Sequence, residues 1–174
     1  MTFIIKRPTK SDARAILECH RDAILAKAGN SYNEDVIKSW ARTIDEEKIR
    51  KVEGEIQNLE WIYIVAESCE GIIGFGIITP ENNDLRAIYV RPCKEHGVGR
   101  SIMKKLLEEA RLKNLSFLKM DASLNAEPFY KQFGFQSLGR GFHTFESGAK
   151  MDCIKMRLDL MEHKEALTTE PRQA

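Results

Sequence analysis

The chain has 174 residues and balances 27 Lys and Arg against 26 Asp and Glu, a formal net charge of +1 at pH 7. This length suits one domain with a substantial core. The near-neutral charge excludes the basic field that nucleic-acid binding needs, and it favours no polycationic partner. The apolar run in "MTFIIKRPTK" is too short for a signal peptide, and no stretch has the length of a membrane span. We therefore expect no nucleic-acid partner and no membrane association.

The cysteines indicate the compartment. Cys19, Cys69, Cys93 and Cys153 are far apart and form neither a C-x-x-C motif nor a paired Cys and His spacing. This arrangement favours reduced thiols over disulfides or a zinc site. The sequence therefore predicts a cytoplasmic protein that binds no metal.

The first part of the chain predicts one strand followed by three helices. Apolar residues at helical spacing define the helices, and capping residues define their ends. The predicted elements are a strand at 2–7, a helix from the T-x-x-D capping box at Thr9 to the stop at Gly29-Asn30, a second helix from about Asn33 and a third at 45–59.

From Trp61 onward the pattern changes to strands. "WIYIVAES" and "IIGFGII" flank the short turn "CEG" and predict an antiparallel hairpin. The later predicted elements are a strand at 85–90, a helix at 96–113, a strand at 117–123, a short helix in "AEPFYKQF", a strand in "FQSL" and a strand at 151–158. The composition of 139–150 predicts a flexible loop, and that of 161–174 a flexible tail. We predict a single domain over 1–160, in which 85–123 forms a βαβ unit.

Two glycines stand at the start of the helix at 96–113. "EHGVGRSIM" places Gly97 and Gly99 ahead of an apolar set at helical spacing. Because glycine lacks a Cβ, a ligand can approach the backbone closely there. The first N–H groups of a helix have no internal partner, and the helix dipole stabilises an anion by about 0.3–2 kcal/mol. With Arg100, Lys104 and Lys105 nearby, this helix start predicts a phosphate site.

Two common phosphate sites fit this stretch poorly. A P-loop needs Lys followed by Ser or Thr after its glycines, and no such pair follows here. A dinucleotide site would use Asp121, 22 residues beyond Gly99, to bind a ribose. Against this, Ile102 occupies the third glycine position, and "RPCKEH" separates the strand from the glycines. An NAD-dependent oxidoreductase is therefore kept only as a remote alternative.

A third kind of phosphate site matches better. "AIYVRPCKEHGVGRSIM" resembles motif A of the GNAT acyltransferase superfamily, and "LNAEPFYKQFGF" at 124–135 resembles its motif B. The element order agrees, and the resemblance covers residues 2–160. His96 and Ser101 depart from the usual Gln or Arg and Gly or Ala of motif A. The resemblance implies an α/β (α+β) GNAT-like acyl-CoA N-acyltransferase fold, with a mixed, mostly antiparallel sheet of about six to seven strands flanked by about four to five helices.

The resemblance also implies acetyl-CoA as the co-substrate. Its pantetheine arm would pair with the strand before motif A, where a backbone N–H would polarise the thioester carbonyl, an effect of about 2.7–4 kcal/mol per donor. Asn125 is expected to cap the following short helix and to contact the cofactor arm. The cofactor-binding residues predicted in this way are Ile88, Tyr89, Val90, His96, Gly97, Val98, Gly99, Arg100, Ser101 and Asn125.

The implied reaction is N-acetyl transfer to an amine of a small molecule or peptide, by direct attack in a ternary complex. Tyr130 is the predicted catalytic acid that protonates the leaving thiolate, the alternative being a purely structural aromatic. The base is left open among Glu81, Asp84, Asp121 and a water chain. No cysteine within the motifs is an evident acyl carrier, and Cys93 is the one nearest to the glycines.

The acceptor side is less specific. His20, Trp40 and His143 are candidates for substrate contact, the alternatives being a core histidine, a core anchor and a surface histidine. No motif selects one amine over another, and both a monomer and a homodimer are compatible with the sequence. A catalytically weak acyl-CoA-binding regulatory module is the alternative to an enzyme.

Overall fold

The computed structural model describes residues 2–41 and 43–160, so the predicted tail at 161–174 lies outside the described residues. Within these ranges the helices are α1 (Ala13–Lys27), α2 (Glu34–Trp40), α3 (Glu46–Gln57), α4 (Val98–Leu112) and α5 (Glu127–Lys131). The strands are β1 (Ile4–Lys6), β2 (Ile62–Ser68), β3 (Gly71–Thr79), β4 (Asp84–Val90), β5 (Phe117–Ser123), β6 (Gln136–Thr144) and β7 (Lys150–Asp159). None of the described helices is long and apolar enough to cross a bilayer.

The helix starts follow the capping residues of the sequence. The Asp12 carboxylate accepts the Thr9 N–H at 2.7 Å ahead of α1, as the predicted capping box requires. Asn33 and Asp45 cap α2 and α3 through side-chain oxygens that accept first-turn N–H groups at 3.0 and 2.9 Å. Each cap satisfies a donor that a helix start otherwise leaves unpaired.

The seven described strands form one sheet in the order β1-β2-β3-β4-β5-β7-β6. Neighbouring strands are antiparallel except β4 and β5, which are parallel because α4 crosses over between them. The predicted mixed, mostly antiparallel sheet is confirmed. It is not the doubly wound parallel sheet of a dinucleotide-binding fold, so the oxidoreductase alternative loses its structural basis.

The core lies on both faces of the sheet. On one face α4 buries Ile102, Met103 and Leu106 completely against the central strands. On the other face α1 and α3 pack through residues that include Ile16 and Val52. Burial of this kind contributes about 1.5–3 kcal/mol per large apolar side chain. These layers hold β4, the strand between the two parts of the sheet, rigidly in the middle of the molecule.

β4 and β5 are joined at one end only. Among the described residues their pairing consists of Asp84 with Lys119, supported by a hydrogen bond of 2.8 Å from the Lys119 N–H to the Asn83 carbonyl. Beyond this point β4 keeps its register with β3, and β5 keeps its register with β7. The two parallel strands therefore diverge, and the carboxyl-terminal half of β4 presents a backbone edge to the gap between them.

The prediction of a flexible loop at 139–150 is wrong. β6 continues through Thr144 and pairs with β7 as far as Lys150, which leaves 145–149 as the turn. Nearly every residue of β6 is exposed, so the strand lacks the apolar alternation by which strands are recognised. Gly139 and Gly141 weaken the pattern further, and the order of this segment comes from its pairing with β7.

Candidate active site

The start of α4 presents unpaired backbone donors. Gly97 is the N-cap residue and has a φ of 77°, a left-handed conformation that favours glycine. The Ser101 N–H donates to the Gly97 carbonyl at 2.9 Å and is the first intrahelical donor. The N–H groups of Gly97, Val98, Gly99 and Arg100 therefore have no acceptor within the helix. The Ser101 N–H is not one of these free donors, because the helix itself uses it.

Gly97 and Gly99 differ in whether their surroundings require a glycine. Gly97 faces open space but has the positive φ that other residues avoid. A methyl group added at Gly99 would lie 3.5 Å from both Val90 and Phe129, in ordinary contact. Packing therefore leaves room for a methyl group at position 99, whereas the backbone conformation at position 97 favours glycine.

A first cleft, which we call the cofactor cleft, opens over this helix start. Its volume is about 480 Å³, and it is bounded by α1, β4, the start of α4 and the β5–α5 connection. Nearly all of the predicted cofactor residues line it, and Ser101 does not. The predicted residues that line it are Ile88, Tyr89, Val90, His96, Gly97, Val98, Gly99, Arg100, Asn125 and Tyr130.

The edge of β4 offers alternate backbone groups to this cleft. The Arg91 N–H donates to the Ile73 carbonyl at 3.1 Å, which marks a hydrogen-bonded pair of the β3–β4 ladder. Hydrogen-bonded and non-bonded pairs alternate in an antiparallel ladder, so the Tyr89 backbone also faces β3. The N–H and C=O groups of Ile88 and Val90 therefore face the gap between β4 and β5.

Tyr130 and Asn125 lie where β5 leads into α5. Tyr130 is 4% exposed and packs against Phe129 and Phe135 at ring-centroid distances of 5.1 and 5.8 Å. Burial raises the pKa of the Tyr130 phenol, which stays protonated at neutral pH. Asn125 is exposed and is not the helix cap that the sequence predicts, because α5 begins one residue later, with Ala126 in the capping position.

A second cleft, which we call the acceptor cleft, lies on the face of the sheet that α1 and α3 cover. Its volume is about 490 Å³, and its wall includes all three predicted acceptor residues, His20, Trp40 and His143. The His20 ring meets the Tyr89 ring edge to face at 4.4 Å. His143 is exposed on β6 and meets Phe145 at 4.9 Å.

The two clefts share a wall. Trp40 and Tyr89 line both of them, and the Trp40 indole N–H donates to the Tyr89 hydroxyl at 3.0 Å. Burial raises the pKa of Tyr89 to about 12, so its hydroxyl keeps a proton while accepting this bond. The sequence predicts Tyr89 as a cofactor-binding residue through its backbone alone. Only the folded structure shows that its side chain forms part of the shared wall.

Carboxylates line the acceptor cleft near the closed end of the β4–β5 gap. Asp84 is half-buried there, and burial raises its pKa despite the nearby Lys119 and Arg86. Asp121 also lines this cleft. Glu81, the third candidate base, lines neither cleft and instead accepts a hydrogen bond from the Trp61 indole at 3.1 Å.

Glu95 is a site residue that the sequence pattern missed. Its side chain lines the cofactor cleft, it is 8% exposed, and neither carboxylate oxygen has a hydrogen-bond partner among the described residues. A buried carboxylate without a donor is costly, so a ligand that brings a donor would stabilise it. Nothing in the periodicity around the glycines marks a buried charge. The described residues contain no cluster of His, Cys, Asp and Glu suited to a metal ion.

This fold and this helix start define a GNAT acyltransferase. Residues 28–160 match the family model of the acetyltransferase (GNAT) domain. The chain therefore belongs to the GNAT acetyltransferase family, and it is an acyltransferase enzyme. An Escherichia coli (strain K12) protein with the name uncharacterized N-acetyltransferase YafP is 27% identical over 117 residues, which cover 67% of this chain and 69% of that protein.

Solved structures agree with this assignment. A GCN5-related N-acetyltransferase from Rhodopseudomonas palustris superposes with a TM-score of 0.80 at 20% identity, over 91% of this chain and 96% of that one. The yncA structure from Salmonella typhimurium, solved with its cofactor acetyl-CoA, gives a TM-score of 0.68 at 22% identity, over 94% of this chain and 96% of that one. At these identities the likeness establishes the fold, as the resemblance of the sequence motifs implied.

Proposed function

We propose that the protein is an acetyl-CoA-dependent N-acetyltransferase that transfers the acetyl group directly to an amine in a ternary complex. The observation that carries the proposal is the shared wall of the two clefts at Trp40 and Tyr89, beside the gap between β4 and β5. A thioester in one cleft and an amine in the other would meet there. Acetyl-CoA is the chosen co-substrate because family membership and a neighbour solved with acetyl-CoA both favour it.

The cofactor cleft has groups that match each part of this co-substrate. The free N–H groups at the start of α4 suit the diphosphate, and the helix dipole adds to their attraction. The exposed edges of Ile88 and Val90 suit the amides of the pantetheine arm, which would pair with β4 as a strand does. The unpartnered carboxylate of Glu95 suits an N–H or O–H donor of the same arm.

The proposed reaction needs one acid and one base. The amine nitrogen attacks the carbonyl carbon, a C–N bond forms, and the negative charge that develops on oxygen is stabilised by the N–H of Ile88. The C–S bond then breaks, and Tyr130 donates its phenolic proton to the departing thiolate sulfur. The proton that the amine loses goes to the base, and exchange with solvent restores Tyr130.

Asp84 is the base in this proposal. It lines the acceptor cleft, it forms no ion pair within the part of the chain that the structure describes, and its raised pKa makes it a stronger base than an ordinary aspartate. The four residues from Asp84 to Ile88 correspond to a rise of about 13 Å at about 3.3 Å per residue. Water molecules therefore relay the proton from the amine to Asp84.

Asp84→Asn is expected to lower kcat by about 10²–10⁴-fold at neutral pH without changing the affinity for acetyl-CoA. The fold should survive. Burial raises the folded-state pKa of Asp84, so ionisation of its carboxyl group lowers the free energy of unfolding as the pH rises through that pKa. The Asn variant cannot ionise and keeps its stability. Its Tm at neutral pH should equal or exceed that of the parent. A variant with parental kcat would assign the proton to Asp121 or to solvent.

An acceptor screen that follows release of free thiol tests the function as a whole. We expect thiol release that needs both acetyl-CoA and an amine, with the acetylated amine detected by mass spectrometry. Binding of acetyl-CoA without turnover across amines, amino acids, polyamines and peptides would instead favour the regulatory binding module. Acetylation of Cys93 after incubation with acetyl-CoA alone would rule out direct transfer.

A further inference from the structure

We infer that the acceptor is a compact monoamine with an aromatic or branched aliphatic body, an inference that rests on the proposed function. The acceptor cleft, at about 490 Å³, has the size of a small-molecule site. Such sites typically measure about 300–1,000 Å³. Its walls come from α1, α2, α3, the β2–β4 part of the sheet and the β6–β7 hairpin.

The floor of the acceptor cleft is a continuous aromatic surface. The Phe75 ring stacks against Tyr63 at 6.2 Å and against Tyr89 at 5.5 Å, so three adjacent strands each contribute one ring. α1 and α3 pack on these rings, and their side chains Leu17 and Val52 complete the apolar part of the lining. A ligand that lies against this part of the lining gains most from an apolar or aromatic body.

Most charges of the acceptor cleft are already compensated. Four of its charged side chains are held in ion pairs, two of them with each other and two with residues outside the lining. These pairs are Glu55–Arg86 at 3.7 Å, Lys48–Asp45 at 2.5 Å and Asp121–Lys155 at 3.0 Å. A ligand with several charged groups would have to break these ion pairs, or its own charges would remain without partners in the cleft. This disfavours polyamines and polyanions alike.

Two charged side chains of the cleft form no ion pair within the described ranges. Asp84 is half-buried at the closed end of the β4–β5 gap, away from Ile88, and the proposed reaction already uses it as the base at the end of the water relay. Lys51 is exposed on α3 and is well solvated. Because an exposed charge contributes little to binding, Lys51 does not demand a carboxylate on the acceptor. The cleft therefore requires no charged group on the acceptor beyond the amine that reacts.

The test compares 2-phenylethylamine and isoamylamine with spermidine and a short lysine-containing peptide, using the full chain saturated with acetyl-CoA. We expect kcat/KM for the two monoamines to exceed that for spermidine and the peptide by at least about 10-fold, the usual effect of a matched apolar pocket. Isothermal titration of each amine into the protein saturated with coenzyme A, which has no acetyl group to transfer, gives the same ranking independently of turnover.

Two variants of α1 form a matched pair. Leu17→Gln places a polar group on the wall of the acceptor cleft and should raise the KM for 2-phenylethylamine by about 10-fold while leaving the KM for acetyl-CoA unchanged. Leu25, 59% exposed on the same helix, lines neither cleft, so Leu25→Gln should change neither constant.

The outcomes separate the two proposals. The acceptor inference is overturned if spermidine or the peptide binds and reacts while the monoamines do not. That result would leave the proposal of N-acetyl transfer intact. Equal effects of Leu17→Gln and Leu25→Gln also overturn it. If no amine binds or reacts, the result contradicts both proposals. If the protein does not bind acetyl-CoA, the result contradicts the proposed function.

Discussion

The two clefts of this protein are built in different ways. The cofactor cleft is largely a backbone structure, made from the unpaired N–H groups before Ser101 and the free edge of β4 at Ile88 and Val90. The acceptor cleft is a side-chain structure, made from rings, methyl groups and paired charges on elements far apart in the sequence. A site built from backbone groups tolerates most side-chain substitutions, whereas a site built from side chains changes its shape and charge when those residues are substituted.

Tyr130 is an exception to this contrast, because catalysis in the cofactor cleft is expected to depend on its side chain. Tyr130→Phe keeps the ring contacts with Phe129 and Phe135 and removes the proton donor. We expect kcat to fall by about 10²–10⁴-fold with the Kd for acetyl-CoA unchanged. Since burial raises the pKa of Tyr130, the parent enzyme should show no loss of kcat from its ionisation up to about pH 10, the ordinary phenol pKa. A weaker Kd with full kcat would make Tyr130 a binding residue instead.

Arg100 offers a direct way to separate backbone from side chain. Arg100→Pro removes one free N–H at a position of the first helical turn where proline is tolerated. Arg100→Ala removes only the guanidinium, which in the structure lies 2.8 Å from the Gln132 side-chain oxygen. A hydrogen bond to a charged group contributes about 1.5–3 kcal/mol, so the Kd for acetyl-CoA should be about 10–100-fold weaker for Pro than for Ala. Equal constants measured by calorimetry would contradict a backbone site.

Asn125 should have the smallest effect. Because it is exposed and does not cap α5, Asn125→Ala should leave the Tm unchanged. If its amide contacts the cofactor arm, the loss of one hydrogen bond of about 0.5–1.5 kcal/mol should raise the KM for acetyl-CoA by about 2–10-fold. Thermal unfolding and steady-state kinetics on the same preparation check both points. A fall in Tm would restore Asn125 as a structural residue.

The sequence was informative where neighbouring residues act together. The capping box at Thr9, the hairpin around the turn "CEG" and the glycines at the start of α4 each lie within a few residues, and the structure places them as expected. The error at Asn125 is a displacement of one position at a helix start, since Ala126 caps α5. Helix boundaries depend on the tertiary packing of the first turn, and a sequence pattern locates them only approximately.

The acceptor cleft could not be assembled from the sequence. Its Glu55–Arg86 pair joins α3 to β4, and its Trp40–Tyr89 bond joins α2 to the same strand. Such contacts exist only after the helices pack on the sheet, and no local period encodes them. The strand predicted in "FQSL" is the start of β6, and its continuation through Thr144 was missed for the same reason, since the order of that part depends on β7 rather than on its own pattern.

Amide hydrogen exchange at single residues tests the account most directly. When the protein is saturated with acetyl-CoA, the N–H groups of Ile88 and Val90 should exchange more slowly, because the pantetheine arm then pairs with them. The Tyr89 N–H, already bonded toward β3, should change little and serves as the internal control. Unchanged exchange at Ile88 and Val90 in the saturated protein would contradict the central claim that the thioester arm lies along β4.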